Sequence, residues 1–267
     1  MAECNPAANE TSEDGWLQVR PKHKPALTRT IAVAKSPITK IFGGLLRSEF
    51  KAKNHKFASL EPYQPLQLDI QSLQVNTIVD ALKQLTNPET VHGNFGTPKG
   101  ISTATATKQV FIETLPPVLI LHLKRFQYDN QGGTQKIWKK IGYPLHLVIP
   151  KDVLSPMSRH STLGTKYRLI GVVYHHGKSA SGGHYTVDVL RQDRKNWIRF
   201  DDTVIKSVHP DDVKVDVNFN HSQMHKNGIE DEGGWESVGH EIGSTAIDSQ
   251  VYSKDSKVAY ILFYQRV

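Results

Sequence analysis

An α+β fold, built mostly from antiparallel strands, is predicted by three features of the chain. Four β-rich runs, "YRLIGVVYHH" (167–176), "GHYTVDVL" (183–190), "NWIRFDD" (196–202) and "AYILFYQRV" (259–267), are joined by Gly-rich or polar connections. One stretch, "TIVDALKQL" (77–85), has a helical period instead, placing Ile78, Ala81, Leu82 and Leu85 on one face with Asn76 or Thr77 as N-cap. At 267 residues and 38% apolar composition, the chain can bury a core as one large domain or two small ones.

The remaining elements follow in chain order. Residues 1–34 are polar, contain Pro21 and Pro25, and are expected to be disordered, with order beginning near Ser36. "PLQLDIQ" (65–71) alternates Leu66, Leu68 and Ile70 with polar neighbours, the period of a half-buried strand leading into the 77–85 helix. Residues 87–109, rich in Gly, Thr, Asn and Pro, read as a loop with weak strands. "PVLILHLKRF" (117–126) is apolar on both faces as far as Leu123, as in a central strand covered on both sides, with His122 a sheet residue. "KIWKK" (136–140) reads as a solvated edge, and 214–257 as a mobile, polar insertion.

Composition excludes several classes. Cys4 is the single cysteine, so neither an internal disulfide nor a Cys-x-x-Cys metal site can form. The longest apolar stretch, Pro116 to Leu123, is too short to span a bilayer, and "MAECNPAANETSEDG" has no signal-peptide pattern. No membrane association is expected, and the protein is placed in the cytoplasm and also the nucleus. The net charge of +7 is concentrated between Arg20 and Lys56, where ten Lys or Arg face one acid, Glu49. That stretch reads as a solvated face and basic tail; it has no stacked-aromatic motif or zinc finger, so no nucleic-acid partner is expected.

The candidate chemistry centres on His184. Gly182 and Gly183 before it let another backbone approach closely, as a site admitting an extended peptide needs. Asp201 lies 17 positions on, at the end of the next strand. Two antiparallel strands joined by "RQDRKN" bring that carboxylate beside the imidazole. A carboxylate on one ring nitrogen fixes the tautomer, so the other nitrogen can take a proton from a nucleophile. Asp201 and Asp202 are adjacent and in an extended strand point to opposite faces; spacing alone does not choose between them. A metal reading from His175, His176, His184 and Asp201 has no H-E-x-x-H or similar spacing behind it.

"YRLIGVVYHHGKSASGGHYTVDVLRQDRKNWIRFDDTVIKSV" resembles the histidine box of the ubiquitin-specific proteases. "LPPVLILHLKRFQYD" (115–129) and "PLQLDIQSLQVNTIVDALKQL" are similar to two further stretches of that family, and together these cover most of Ser36–Val267. The resemblance implies the palm and fingers of a papain-like protease fold within residues 35–267, fingers about 36–112 and palm about 113–267. It implies a cysteine-type deubiquitinase whose partners are ubiquitin and ubiquitinated proteins and which needs no cofactor.

Carried over by residue, it makes His184 the general base, Asp201 its orienting acid and Asp202 a second polar contributor. His175, Gly182 and Gly183 belong to the substrate-binding segment before the histidine, whereas Tyr185 and Trp197 are expected to pack. Two departures stand out. Nothing matches the family's amino-terminal cysteine box, and Cys4 lacks both a helix start and the oxyanion asparagine, so the nucleophile and thumb are expected to be missing. The zinc-holding cysteine pairs of many relatives' fingers are absent too.

Overall fold

The structure, a computed structural model, describes residues 16–17, 27–31, 34–52, 55–97, 100–128, 133–160, 164–179, 182–216 and 258–267. The chain begins with β1 (Trp16–Leu17) and β2 (Leu27–Thr30), then a short helix, α1 (Pro37–Phe42). Ser36 caps α1 reciprocally: its Oγ accepts from Thr39 N at 3.1 Å while Thr39 Oγ1 accepts from Ser36 N at 2.8 Å. β3 (Gly44–Ala52), β4 (His55–Tyr63) and β5 (Pro65–Leu68) lead to α2 (Ile78–Leu85). Thr77 is the N-cap of α2, accepting from Asp80 N at 3.1 Å, and Asp80 returns a carboxylate to Thr77 N at 2.9 Å. Ile78, Ala81 and Leu82 are buried, the face the 3.6-residue period anticipates.

β6 (Glu89–Thr97) and β7 (Gly100–Thr114) follow, then β8 (Val118–Leu123), β9 (Phe126–Tyr128), β10 (Thr134–Lys136) and β11 (His146–Val148). The last elements are β12 (Lys166–His176), β13 (His184–Leu190), β14 (Trp197–Asp201), β15 (Val204–Val208), α3 (Pro210–Val213) and β16 (Val258–Arg266). Two large sheets organise most of them, and β9 and β10 pair as a separate antiparallel ribbon. A six-stranded sheet has the order β1-β2-β4-β3-β7-β6. The larger runs β15-β14-β13-β12-β16-β8-β5, with β11 an eighth strand against β12. Among the described residues no helix is long and apolar enough to cross a membrane.

The core lies against the larger sheet. Leu119, Leu121 and Leu123 of β8 are fully buried and pack with α2, Tyr167, Leu169 and Leu262. Each such leucine withdraws enough apolar surface to contribute about 1.5–3 kcal/mol. The opposite face of β8 (Val118, Ile120, His122) is half-buried, so the strand is less enclosed than its apolar run suggests. β8 is central nonetheless, antiparallel to β16 and parallel to β5.

Several expectations change. The stretch 87–109, expected as a loop with weak strands, is mostly strand: it holds β6 and most of β7, whose residues 107–114 also pair with β3. Ile101, Thr103, Thr105 and Thr107, β-branched at every second position, suit an extended backbone once flanking strands supply hydrogen bonds. Order begins before Ser36, because β2 runs parallel to β4; the other residues of 1–34, apart from 16–17, 31 and 34, lie outside the described set. Of the 214–257 insertion only 214–216 are described, where Val215 and Tyr143 exchange backbone hydrogen bonds at 3.0 and 3.2 Å. β5 falls within the span expected as fingers, yet it belongs to the larger sheet.

Candidate active site

His184 opens β13, and β12–β13 pairing sets it opposite His176. β14 runs back along β13, pairing Val187 with Phe200, which brings Asp201 to the start of β13. The predicted juxtaposition is present: His184 Nε2 and Asp201 Oδ1 are 2.5 Å apart, with both side chains about two-fifths exposed. The contact holds the imidazole and the carboxylate together. His184 is raised above the ordinary imidazole value, chiefly by the Asp201 hydrogen bond, and Asp201 is lowered, chiefly by His184.

Asp202 is not turned away as strand alternation suggests. It sits in the two-residue turn between β14 and β15 with φ 47°, left-handed backbone that a short polar residue tolerates. Its Oδ2 lies 3.7 Å from His184 Nδ1. That distance is beyond a hydrogen bond, so Asp201 engages one ring nitrogen while Nδ1 has an exposed carboxylate beside it and, among the described residues, no tight partner. The arrangement can orient an imidazole and stabilise its charged form. His184, Asp201 and Asp202 also place one ligand atom each within 4.8 Å of one another, close enough to touch a cation. Two of the three are engaged in the His–carboxylate contact instead.

The ubiquitin carboxyl-terminal hydrolase family model matches residues 9–264. The chain belongs to that family. It is 51% identical over 201 residues to the probable ubiquitin carboxyl-terminal hydrolase 3 of Schizosaccharomyces pombe, covering 75% of this chain and 38% of the relative. To ubiquitin carboxyl-terminal hydrolase 10 of Xenopus tropicalis it is 44% identical over 210 residues, covering 78% and 26%. The chain therefore spans well under half the length of these relatives. Its fold is similar to the SAGA Ubp8/Sgf11/Sus1/Sgf73 DUB module bound to ubiquitin aldehyde, with TM-score 0.63 and 23% identity over 88% of this chain and 43% of that one.

In this member of the family the other residues expected at the site divide between open and supporting positions. Gly182 has open space where a Cβ would be. At Gly183 a Cβ would lie 2.4 Å from His175 Nε2 and 2.4 Å from the His176 carbonyl oxygen, so its glycine is required by the chain's own packing. His175, expected to meet substrate, is only 1% exposed. Alternation along β12 turns its ring to the face opposite His176 and His184, where it supports Gly183. Gly183→Ala is therefore expected to cost about 1–3 kcal/mol, because a backbone carbonyl cannot swing aside as a flexible side chain can. Thermal melting checks this, with Gly182→Ala as the variant expected to leave the midpoint unchanged.

Other supporting residues escape a reading of spacing alone. Lys136, expected on a solvated edge, is 4% exposed. Its Nζ lies 2.7 Å from the His175 carbonyl oxygen, 2.9 Å from that of Gly177 and 3.0 Å from His175 Nδ1. Around His175 the rings of Phe126, Tyr185 and Tyr260 form an aromatic floor with centroids 4.8–6.2 Å from the imidazole. Tyr185 packs as expected, its ring against His175 and Tyr260, while staying 52% exposed; Trp197 packs at 3% exposure. On the His184 face, His176 Nε2 meets Thr186 Oγ1 at 2.9 Å, and Arg199 forks onto buried Asp188 with both contacts at 2.6 Å. The alternation of β12 and β13 is the sequence signal that sorts these groups by face.

Proposed function

We propose that this chain carries the base and orienting acid of a cysteine-type deubiquitinase, which hydrolyses the isopeptide bond after the carboxyl-terminal glycine of ubiquitin. The observation that carries the reading is the 2.5 Å contact between His184 and Asp201 at the partly exposed start of β13. Family membership over 9–264 supports it. In this mechanism a thiolate attacks the glycine carbonyl and His184, as acid, gives a proton to the departing lysine amine. His184 then acts as base while water hydrolyses the thioester, and Asp201 holds its ring throughout. Asp202, beside Nδ1, adds negative potential that favours the imidazolium.

The thiol in this scheme is not Cys4, whose sequence surroundings offer nothing to lower a thiol pKa. The 267 residues alone then act as a ubiquitin-binding, non-cleaving unit, working in the cytoplasm and nucleus without nucleic acid or membrane. The test is a ubiquitin carboxyl-terminal electrophile offered to the chain as given. Saturable ubiquitin binding without covalent capture is expected, and with the cysteine-bearing part of a relative's catalytic domain present, capture that depends on His184. Stoichiometric labelling of Cys4 in a defined site, or no ubiquitin binding by the folded chain, overturns the reading.

A further inference from the structure

We propose that Lys136 is a positioning residue for His184: its buried ammonium pins the end of β12, and through it the glycine segment on which the imidazole is mounted. The inference rests on the deubiquitinase reading only for what the positioned imidazole does, not for the positioning itself.

Three observations carry it. First, an ammonium has three N–H donors and no lone pair, and Lys136 has three acceptors within 3.0 Å: the carbonyls of His175 and Gly177, and His175 Nδ1. With Nδ1 accepting, His175 is neutral and carries its proton on Nε2. Burial, the Lys136 charge and His176 together lower His175, which keeps it in that state. Burial, then the Arg125 guanidinium, draws Lys136 down to about 8, so it still holds its proton at neutral pH. Lys136 also lies 4.0 Å from the Trp138 ring centroid, a second stabilisation of the cation.

Second, the fixed carbonyls bracket the point where β12 leaves the sheet. Gly177, at φ 117°, makes a turn that other residues adopt only with strain. Third, the His175 ring lies against Gly183, the residue before His184, and the neighbouring pair His176–His184 closes the ladder. Lys136 therefore acts from β10, on the face opposite the active pair, through His175 to Gly183 and thence to His184. If the ammonium is removed, two backbone carbonyls and a ring nitrogen lose their donor in a nearly solvent-free place. The β12–β13 junction is then free to shift, and Asp201 no longer meets the imidazole at one fixed distance.

NMR on the 267-residue chain tests this without reference to turnover. Lys136→Met preserves length and removes the donors. The expected result is that the His184 titration midpoint falls back toward the ordinary imidazole value, while amide exchange at the β12–β13 junction speeds by about tenfold or more. Leu82→Ala, a core variant distant from the site, is expected to lower the melting temperature without moving the His184 midpoint. An unmoved His184 midpoint in folded Lys136→Met, or an equal movement in Leu82→Ala, overturns the proposal. Should Lys136→Met fail to fold, nitrogen shifts of the unmutated protein decide: His175 must show an unprotonated Nδ1 and a protonated Nε2 at neutral pH, and the reverse tautomer overturns it. Loss of ubiquitin binding or cleavage with these signatures intact refutes the functional reading and leaves the positioning role standing.

Discussion

Asp201→Asn is expected to lower ubiquitin turnover by orders of magnitude, up to about 10⁴, in an enzyme completed by its thiol, with ubiquitin affinity little changed. An asparagine amide facing His184 Nε2 can donate a hydrogen bond where the carboxylate could only accept. The imidazole then carries its proton on Nδ1, the nitrogen that must be free to accept one. The pH dependence carries the same signature. Since Asp201 and Asp202 raise His184, the neutral base predominates only above the ordinary imidazole value, and the acid limb of turnover lies there. Removing the Asp201 charge should move that limb to lower pH.

The sign for stability is the converse. His184 contributes while protonated, fully below about 6.5, and its contribution fades as pH rises through its raised folded value; Asp201 contributes above about 3.9 and loses its part as pH falls through its lowered one. The pair is therefore strongest between about pH 4 and 6.5, and at this exposure salt should screen most of it. His184→Ala should abolish turnover at least as completely as Asp201→Asn. A folded Asp202→Asn variant more damaged than Asp201→Asn would reverse the two roles.

Arg199→Met is expected to cost about 3–5 kcal/mol of stability, lowering the melting temperature by about 10 °C or more. Asp188 is fully buried at the centre of β13, and the Arg199 fork reaches both of its carboxylate oxygens. Tyr174 Oη donates to the same carboxylate at 3.0 Å, and Tyr143 meets Tyr174 at 3.3 Å. Deleting the guanidinium leaves the Asp188 charge in a nearly dry setting without its bidentate partner. Replacing both partners, as in Asp188→Leu with Arg199→Met, should recover a large part of the loss, because the uncompensated charge goes with it. Calorimetry of the single and double variants measures this; a single variant within about 1 kcal/mol of the parent would show that the fork is dispensable.

What the sequence reveals here depends on whether a residue's partners are local. The α2 cap and buried face follow from Thr77, Asp80 and the spacing of Ile78, Ala81 and Leu82, all within one segment. The His184–Asp201 pairing follows from one hairpin, and so was legible too. Lys136 was not, because a lysine in the lysine-rich run Lys136 to Lys140 looks solvated until β12, about forty residues further on, supplies its acceptors. Asp202 was misplaced for a different reason: alternation holds only while the backbone stays extended, and the chain turns left-handed at that residue. The parallel pairing of β5 with β8, and the arms formed by 89–114, depend equally on strands distant in the chain.

The place of β16 has a consequence for how the molecule comes into being. Its residues, 258–266, lie between β12 and β8, with Ile261 opposite both Val173 and His122. On the ribosome both neighbours are born well before the strand that joins them. Until it emerges, β8 and β12 each present a bare strand edge, the kind that chaperones shield and that otherwise sticks to its like. The hairpin bearing His184 can form early, but its sheet becomes continuous only when β16 is threaded into the middle. A stop codon within 217–257 would thus split the sheet at its centre, whereas a protease nick in that stretch would leave β16 held by its two neighbours.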